Sequence, residues 1–149
     1  MQIDNARHSE QVARMQEAEK KNECFFCIDF TSRGASGKIW ENPFWFVKPN
    51  DYPYNGAEHH YLVVAQRHVT EIRELSTHEK LALFEAVEWI KNRFELDGFS
   101  VFVRSGNMRR TAATIDHLHF HVIVGGEKVG DEKNKLEDLI VAPVGFKKK

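Results

Sequence analysis

At 149 residues and a formal charge of −1, the chain is sized for one domain with a real core, and its near-balance of charge argues against a nucleic-acid coat or a membrane-surface protein. No apolar run is long enough to span a bilayer, and the polar stretch from Met1 to Arg7 lacks the apolar segment of a signal peptide, so a cytoplasmic location is the default expectation. The only cysteines, Cys24 and Cys27, are spaced C-x-x-C, which in a reducing compartment points to a metal half-site or a redox dithiol rather than a structural disulfide.

Residues 5–22 are rich in Glu, Gln, Lys, Arg and Ala, with Val12 and Met15 as sparse apolar marks, and read as a mostly exposed helix. After the Cys24-Phe25-Phe26-Cys27 motif, the stretch from Thr31 to Gly37 reads as a loop by composition. Two short strands are predicted at 38–41 and 44–48, with Asn42-Pro43 in the hairpin turn between them. Residues 49–56 form a long connection rich in Pro, Asn and Gly, of the kind that often carries function. Residues 60–65 are a strongly apolar strand closed by Gln66-Arg67-His68.

Ser76 and Glu79 have capping-box spacing and predict a helix from there to about Leu96, ahead of Asp97-Gly98. Leu83, Val87, Ile90 and Phe94 fall on one face of it and are expected against a sheet. Residues 99–103 form another strand, followed by a polar, basic loop over 104–111. After Gly126 the chain is charged up to Asp138, Leu139-Ile140-Val141 is a candidate short strand, and Lys147 to Lys149 form a solvated end. Short connections around one long helix predict an antiparallel α+β sandwich.

The feature that composition cannot explain is His117-Leu118-His119-Phe120-His121, which runs into Val122-Ile123-Val124 and stops at Gly125-Gly126. In a strand, side chains at i, i+2 and i+4 share a face, so His117, His119 and His121 line one side and the bulky apolar residues the other. Three imidazoles in a row are a poor way to build a core, because each needs a partner for its polar nitrogens. Alternate residues of a strand are about 6.6 Å apart, and the outer two histidines about 13 Å. Ligands of one metal ion sit about 2 Å from it, so the three rings do not easily converge on one ion. The chemistry they suit is nucleophilic catalysis. A neutral ring nitrogen attacks phosphorus while its other nitrogen is held by an acceptor, and a second histidine manages protons or phosphoryl oxygens. The bland reading is a set of partly exposed histidines that bind metal by accident.

These residues resemble the histidine triad (HIT) family of nucleotide hydrolases and transferases, whose signature is His-x-His-x-His followed by apolar residues. The stretch from His60 to His68 is similar to the family's His-x-Leu-Val-Ile-Pro-Lys-x-His, and Cys24-Phe25-Phe26-Cys27 to its N-terminal Cys-x-Phe-Cys. The pieces occur in family order over residues 24–126. The resemblance implies a HIT-like α+β domain over residues 1–149: an antiparallel sheet of about five strands, one long helix and an extra N-terminal helix. Residues 1–23 would be a helical extension and 127–149 a charged tail.

The resemblance also assigns roles. His119 would attack the α-phosphorus of a nucleotide and form a covalent nucleotidyl-histidine. His121 would bind phosphoryl oxygens and assist the leaving group or water, and His117 would orient the site or bind metal. Thr114 takes the place of a phosphate-contacting Ser or Thr, and Asn107 lies one position out of register with the family's upstream Asn. His60 would support the nucleophilic strand. Asn50 or Asp51 stands near the ribose-hydroxyl partner. Zinc-binding members use positions that correspond to Cys24, Cys27, His68 and His117, so a structural zinc is implied, with two free thiols as the alternative. A homodimer is expected by resemblance, with no membrane and no nucleic-acid partner. The chain departs from the family at Ala113 and at Ala65-Gln66, and carries extra positive charge at Arg104, Arg109 and Arg110, which binds a polyphosphate chain or is simply a solvated loop. Trp40, Phe44, Trp45 and Phe46 are candidates for a base pocket or for the core.

The substrate expected is a nucleoside phosphoramidate or a dinucleoside polyphosphate, and a histidine at the third triad position favours hydrolysis. The alternatives are a phosphorylase or nucleotidyltransferase, and a nucleotide-binding protein with little turnover.

Overall fold

The computed structural model describes residues 1–27 and 37–149; the loop expected from Thr31 lies outside the described residues up to Gly37. The sheet has five strands: β1 (Trp40–Glu41), β2 (Trp45–Pro49), β3 (Ala57–Ala65), β4 (Ser100–Val103) and β5 (His119–Gly125). All pairings are antiparallel, in the order β1-β2-β3-β5-β4. The helices are α1 (Ser9–Lys20), α2 (Thr77–Arg93) and the short α3 (Met108–Thr111). The α+β class, the sheet, the long helix and the N-terminal helix are as the sequence predicts.

Alternation along the strands sorts side chains onto two faces. Trp45 and Val47 of β2, Tyr61, Val63 and Ala65 of β3, and Phe120, Val122 and Val124 of β5 pack with Ala82, Leu83, Ala86, Val87 and Ile90 of α2. The indole of Trp45 is fully buried and donates from Nε1 to the Glu79 carbonyl at 2.7 Å, tying β2 to the first turn of α2. On the opposite face Phe46, Leu62, Val64, Ile115 and Phe26 form a smaller apolar cluster. The histidines share that second face.

The hairpin turn is built on Asn42, whose Oδ1 accepts from the Phe44 and Trp45 amides at 2.9 and 2.8 Å, an Asx turn. At the start of α2, Ser76 Oγ accepts from the Glu79 amide and the Glu79 carboxylate accepts from the Ser76 amide at 2.7 Å. Arg67 also bonds that carboxylate and, as the largest influence, holds the Glu79 pKa down at about 2. The helix ends at Arg93 rather than near Leu96, because Glu95 adopts a left-handed φ of 52° and the Leu96 amide turns back to the Lys91 carbonyl at 3.0 Å.

Other features also differ from the sequence reading, and β1 begins at Trp40 rather than at 38. The connection after β2 is shorter, since β3 starts at Ala57 with a register shift between Ala57 and His59. The basic loop after β4 contains α3. Leu139-Ile140-Val141 forms no strand, which corrects that expectation: a 3-10 turn spans Leu136–Asp138 and the next residues run irregularly. Both edges of β5 are taken by β3 and β4. The tail instead lays Ile140 over Gly56 and Gly125 and brings the Pro143 carbonyl to Arg104.

Replacing Ser76 with Ala removes the N-cap acceptor and half of the capping box. The expected cost is about 1 kcal/mol, read as a lower urea midpoint at unchanged m-value; an unchanged midpoint would show that Arg67–Glu79 alone holds this helix start.

Candidate active site

The three histidines are buried side by side but have different partners. His119 Nδ1 lies 2.7 Å from the backbone carbonyl of His117. A carbonyl only accepts, so the proton is on Nδ1 and Nε2 carries a lone pair. Burial pushes the His119 pKa down to about 4, with Arg104 and His117 adding to the fall and the bond to His117 opposing it. The ring is therefore neutral at pH 7, in the tautomer that makes Nε2 a nucleophile. It lines a cleft of about 690 Å³, counting the space at its mouth, together with His121, Thr114, Asn50 and Asp51.

His121 meets a different set of groups. Arg104 Nη1 lies 3.1 Å from its Nε2 and His60 Nε2 lies 2.8 Å from its Nδ1. Phe102 stacks on its far side at 4.5 Å between ring centres. Guanidinium only donates, so this contact makes His121 Nε2 an acceptor and sends its proton towards His60. The Tyr54 amide, 3.2 Å from His60 Nδ1, asks for the reverse arrangement. Two neutral imidazoles in contact have one proton and one lone pair left for their outer nitrogens, so only one of these two donors is satisfied at a time. The pair is thus able to present either a proton or a lone pair at His121 Nε2. His60 supports His121 rather than the His119 ring, and Asn50 and the stacked Tyr54 hold it in turn.

His117 leaves the ladder, and β5 begins only at His119. Its Nε2 donates to the Ala65 carbonyl at 2.7 Å, which leaves a lone pair on Nδ1, 3.4 Å from Cys24 Sγ and 3.5 Å from Cys27 Sγ. His68 Nδ1 is 3.3 Å from Cys27 Sγ. The four ligand atoms lie within 4.8 Å of one another. A tetrahedral ion with metal–nitrogen bonds of about 2.0 Å and metal–sulfur bonds of about 2.3 Å would separate N and S by about 3.5 Å, so this set can hold a metal ion. The bond to Ala65 fixes the tautomer that such a ligand requires. In the absence of a cation, burial pushes the Cys27 thiol up to about 11, away from a reactive redox thiolate.

The remaining sequence candidates divide. Thr114 lines the cleft, and its carbonyl accepts from the Gln2 amide. Asp51 also lines it, but its carboxylate is engaged by Lys48 at 2.9 Å and by Arg14 at 3.4 Å. Arg104 is at the site, whereas Asn107 is exposed and caps α3, accepting from the Arg109 amide at 3.0 Å. Arg109 and Arg110 are exposed on that helix and do not line the cleft. Trp45 belongs to the α2 core and Trp40 stacks on Trp89 at 5.6 Å, so neither forms a base pocket. Phe46 underlies the histidine face and Phe44 is at the surface. His59 lies on the α2 side with Tyr61 and Phe94, as alternation predicts.

Sequence reasoning missed the contribution of the N-terminus. The Gln2 amide bonds the Thr114 carbonyl at 2.9 Å and Asn5 Nδ2 bonds the Ala113 carbonyl at 2.8 Å. Arg7, Gln11 and Met15 then line the cleft together with Phe25 and Phe26. Met15, one of two sparse apolar marks in that helix, is the one that the structure buries fully.

Burial, with the charges of Arg7, His119 and Arg104, holds the His60 pKa at about 4, against about 6.5 in an unfolded chain. Between those values the unfolded chain binds a proton that the folded chain does not. The contribution of His60 is therefore fully present above pH 6.5 and is lost as pH falls towards 4, by up to about 3 kcal/mol. His121 shifts in the same direction. Urea unfolding at pH 7.5 and pH 5 should show stability falling on acidification, and falling less in His60→Asn; equal falls would remove His60 from this account.

A profile of the family described as scavenger mRNA decapping enzyme C-term binding matches residues 23–136. Among solved structures the chain is similar to a histidine triad protein from Clostridium difficile, at 22% identity and a TM-score of 0.56, over 74% of this chain and 96% of that one. It is also similar to a histidine triad nucleotide-binding protein from Candida albicans, at 19% identity and a TM-score of 0.58, over 75% and 87% of the two chains. A HIT family hydrolase from Clostridium thermocellum matches at 19% identity and a TM-score of 0.58, over 73% and 95%. At these identities the structural likeness establishes the fold. No curated protein matches. No helix among the described residues is long and apolar enough to cross a membrane. With the profile covering the cysteine pair, the long helix and the triad, the chain belongs to the scavenger mRNA decapping enzyme C-terminal family, within the histidine triad proteins.

Proposed function

We propose that this protein is a nucleotide phosphohydrolase working through a covalent nucleotidyl-histidine, on a nucleoside phosphoramidate or a dinucleoside polyphosphate. The observation that carries this reading is the 2.7 Å bond from His119 Nδ1–H to the His117 carbonyl, in a ring that burial keeps neutral at the edge of the cleft. His119 Nε2 attacks the α-phosphorus, a P–N bond forms, and the bond from phosphorus to the leaving group breaks with its electron pair leaving on that group. An amine leaving group takes its proton from His121 when Nε2 bears one. Water then attacks the same phosphorus, the P–N bond breaks, and the water proton passes to His121 Nε2, replacing the one given to the leaving amine. The His60–His121 contact at 2.8 Å lets the two rings share that proton deficit between the steps. Thr114 is the candidate phosphate contact and Asn50 the candidate ribose contact.

Cys24, Cys27, His68 and His117 would hold a structural zinc. Its contribution would be positional: the carbonyl that fixes the His119 tautomer belongs to His117 itself. A homodimer remains part of the proposal, supported by the outer edge of β4 at the end of the sheet, with Val101 exposed.

Intact-mass and peptide mass spectrometry after mixing with candidate nucleotides should show a nucleotidyl adduct on His119. His119→Ala should lose the adduct and on the order of 10³-fold or more in turnover while melting normally. An adduct on another residue would sink the assignment, and phosphate-dependent product formation would convert the hydrolase into a phosphorylase. Metal analysis of the purified protein should find stoichiometric zinc, with chelation lowering the melting temperature. A metal-free protein with unchanged melting would overturn the zinc assignment.

A further inference from the structure

The cleft holds more positive charge than attack on a single phosphate needs. Asp51 is the one acidic residue among the described lining residues, and its carboxylate is shared by Lys48 and Arg14. Arg7 and Arg104 make no ion pair with any described residue. Neutral acceptors hold them: Arg7 Nη2 donates to the Tyr52 carbonyl at 2.8 Å, and Arg104 donates to the Pro143 carbonyl at 3.0 Å and to the Tyr54 hydroxyl at 2.6 Å. Both guanidiniums converge on Tyr54, since Arg7 also lies 4.2 Å over its ring. Each retains its full positive charge, and Arg104 is one of the groups that push the Arg7 pKa down, after burial. Two like charges held together beside a cleft, with no carboxylate between them, form a place where an anion lowers the energy.

The position of that place is informative. Arg104 is in contact with His121 Nε2, so an anion between the two arginines lies next to the phosphorus that His119 would attack. We propose that Arg7 and Arg104 form a second anion subsite that takes the phosphate attached to the attacked α-phosphate, making nucleotides with a chain of two or more phosphates the preferred substrate class. The P–O bond that breaks leaves its electron pair on the oxygen of that second phosphate, and the two guanidiniums stabilise the charge that develops there. Arg7 comes from the segment ahead of α1, outside the residues matched by the family profile. This makes the preference a property of this chain's N-terminus, held in place by the Gln2 and Asn5 bonds to Thr114 and Ala113.

The inference rests on the reaction proposed for His119, and its test separates the two. Calorimetry on the full chain with AMP and with ADP supplied as its non-hydrolysable α,β-methylene analogue reads the subsite without turnover. The unmodified protein should bind ADP about tenfold or more tightly than AMP. Arg7→Gln should lose most of that preference and Arg7→Lys should keep part of it, with melting temperatures confirming the fold. In turnover, Arg7→Gln should reduce kcat/KM for a dinucleoside triphosphate by at least about tenfold more than for a nucleoside phosphoramidate, which has a single phosphate. Equal affinities for AMP and ADP in the unmodified protein, or equal losses for both ligands in Arg7→Gln, would overturn the subsite. An ADP preference that depends on Arg7, in a protein forming no adduct on His119, would retain the subsite and remove the reaction.

Discussion

The bond between His119 Nδ1 and the backbone carbonyl two residues earlier is the constraint on which the site depends. A side chain reaching its own strand's carbonyl at i−2 requires that carbonyl to be free of the ladder. It is free because the pairing with β3 ends at the bond from the Ala65 amide to the Leu118 carbonyl, and the chain before it turns away, with the Leu118 amide on the Val69 carbonyl. The departure also carries the His117 ring to Cys24, Cys27 and His68. One local break in β5 therefore creates both the tautomer of His119 and the fourth corner of the metal-ligand cluster. The two are mechanically coupled, since anything that fixes His117 fixes the acceptor on which His119 depends.

Low dielectric reinforces the arrangement. His60, His119 and His121 all have their charged forms disfavoured, mainly by burial, and the nearby guanidiniums push in the same direction. Buried neutral imidazoles must have their nitrogens satisfied, and here the partners are carbonyls, an amide, a guanidinium and one another. The Arg104–His121–His60–Tyr54 chain has one donor too many. That mismatch costs stability and leaves His121 with two accessible proton arrangements, a property an acid–base group requires and a purely structural histidine does not.

The two faces of the sheet do different work. The α2 face is filled by Trp45, Phe120 and the aliphatic stripe of the helix, and it supplies most of the core. The other face is shallower, and α1, the cysteine turn and the C-terminal tail complete it. Arg104 consequently bridges the tail carbonyl of Pro143 to the hydroxyl of Tyr54, and an N-terminal arginine lies over the same tyrosine ring, although Pro143 and Arg7 stand at opposite ends of the chain.

The sequence alone determined whatever follows from local periodicity and short-range chemistry. Alternation through β5 put the histidines on one face, Asn42 set the hairpin turn, and Ser76 with Glu79 set the start of α2. These are interactions within a few residues, and they hold in any tertiary context that buries the same stripe. The C-x-x-C spacing limited the cysteines to a few chemistries, and the order of motifs named the fold. Tertiary structure decided the rest, because it depends on contacts between distant segments. Asn107 has the right residue type near the right place, but the start of α3 uses its side chain as a cap. Asp51 reads as a free carboxylate until Lys48 and Arg14 are folded against it. Leu139-Ile140-Val141 has strand composition and no free edge of β5 to join. Arg7 stands in a polar N-terminal stretch whose composition says only that it is solvated. It reaches the cleft because Gln2 and Asn5 bond carbonyls more than a hundred positions away, a pairing that no local pattern encodes.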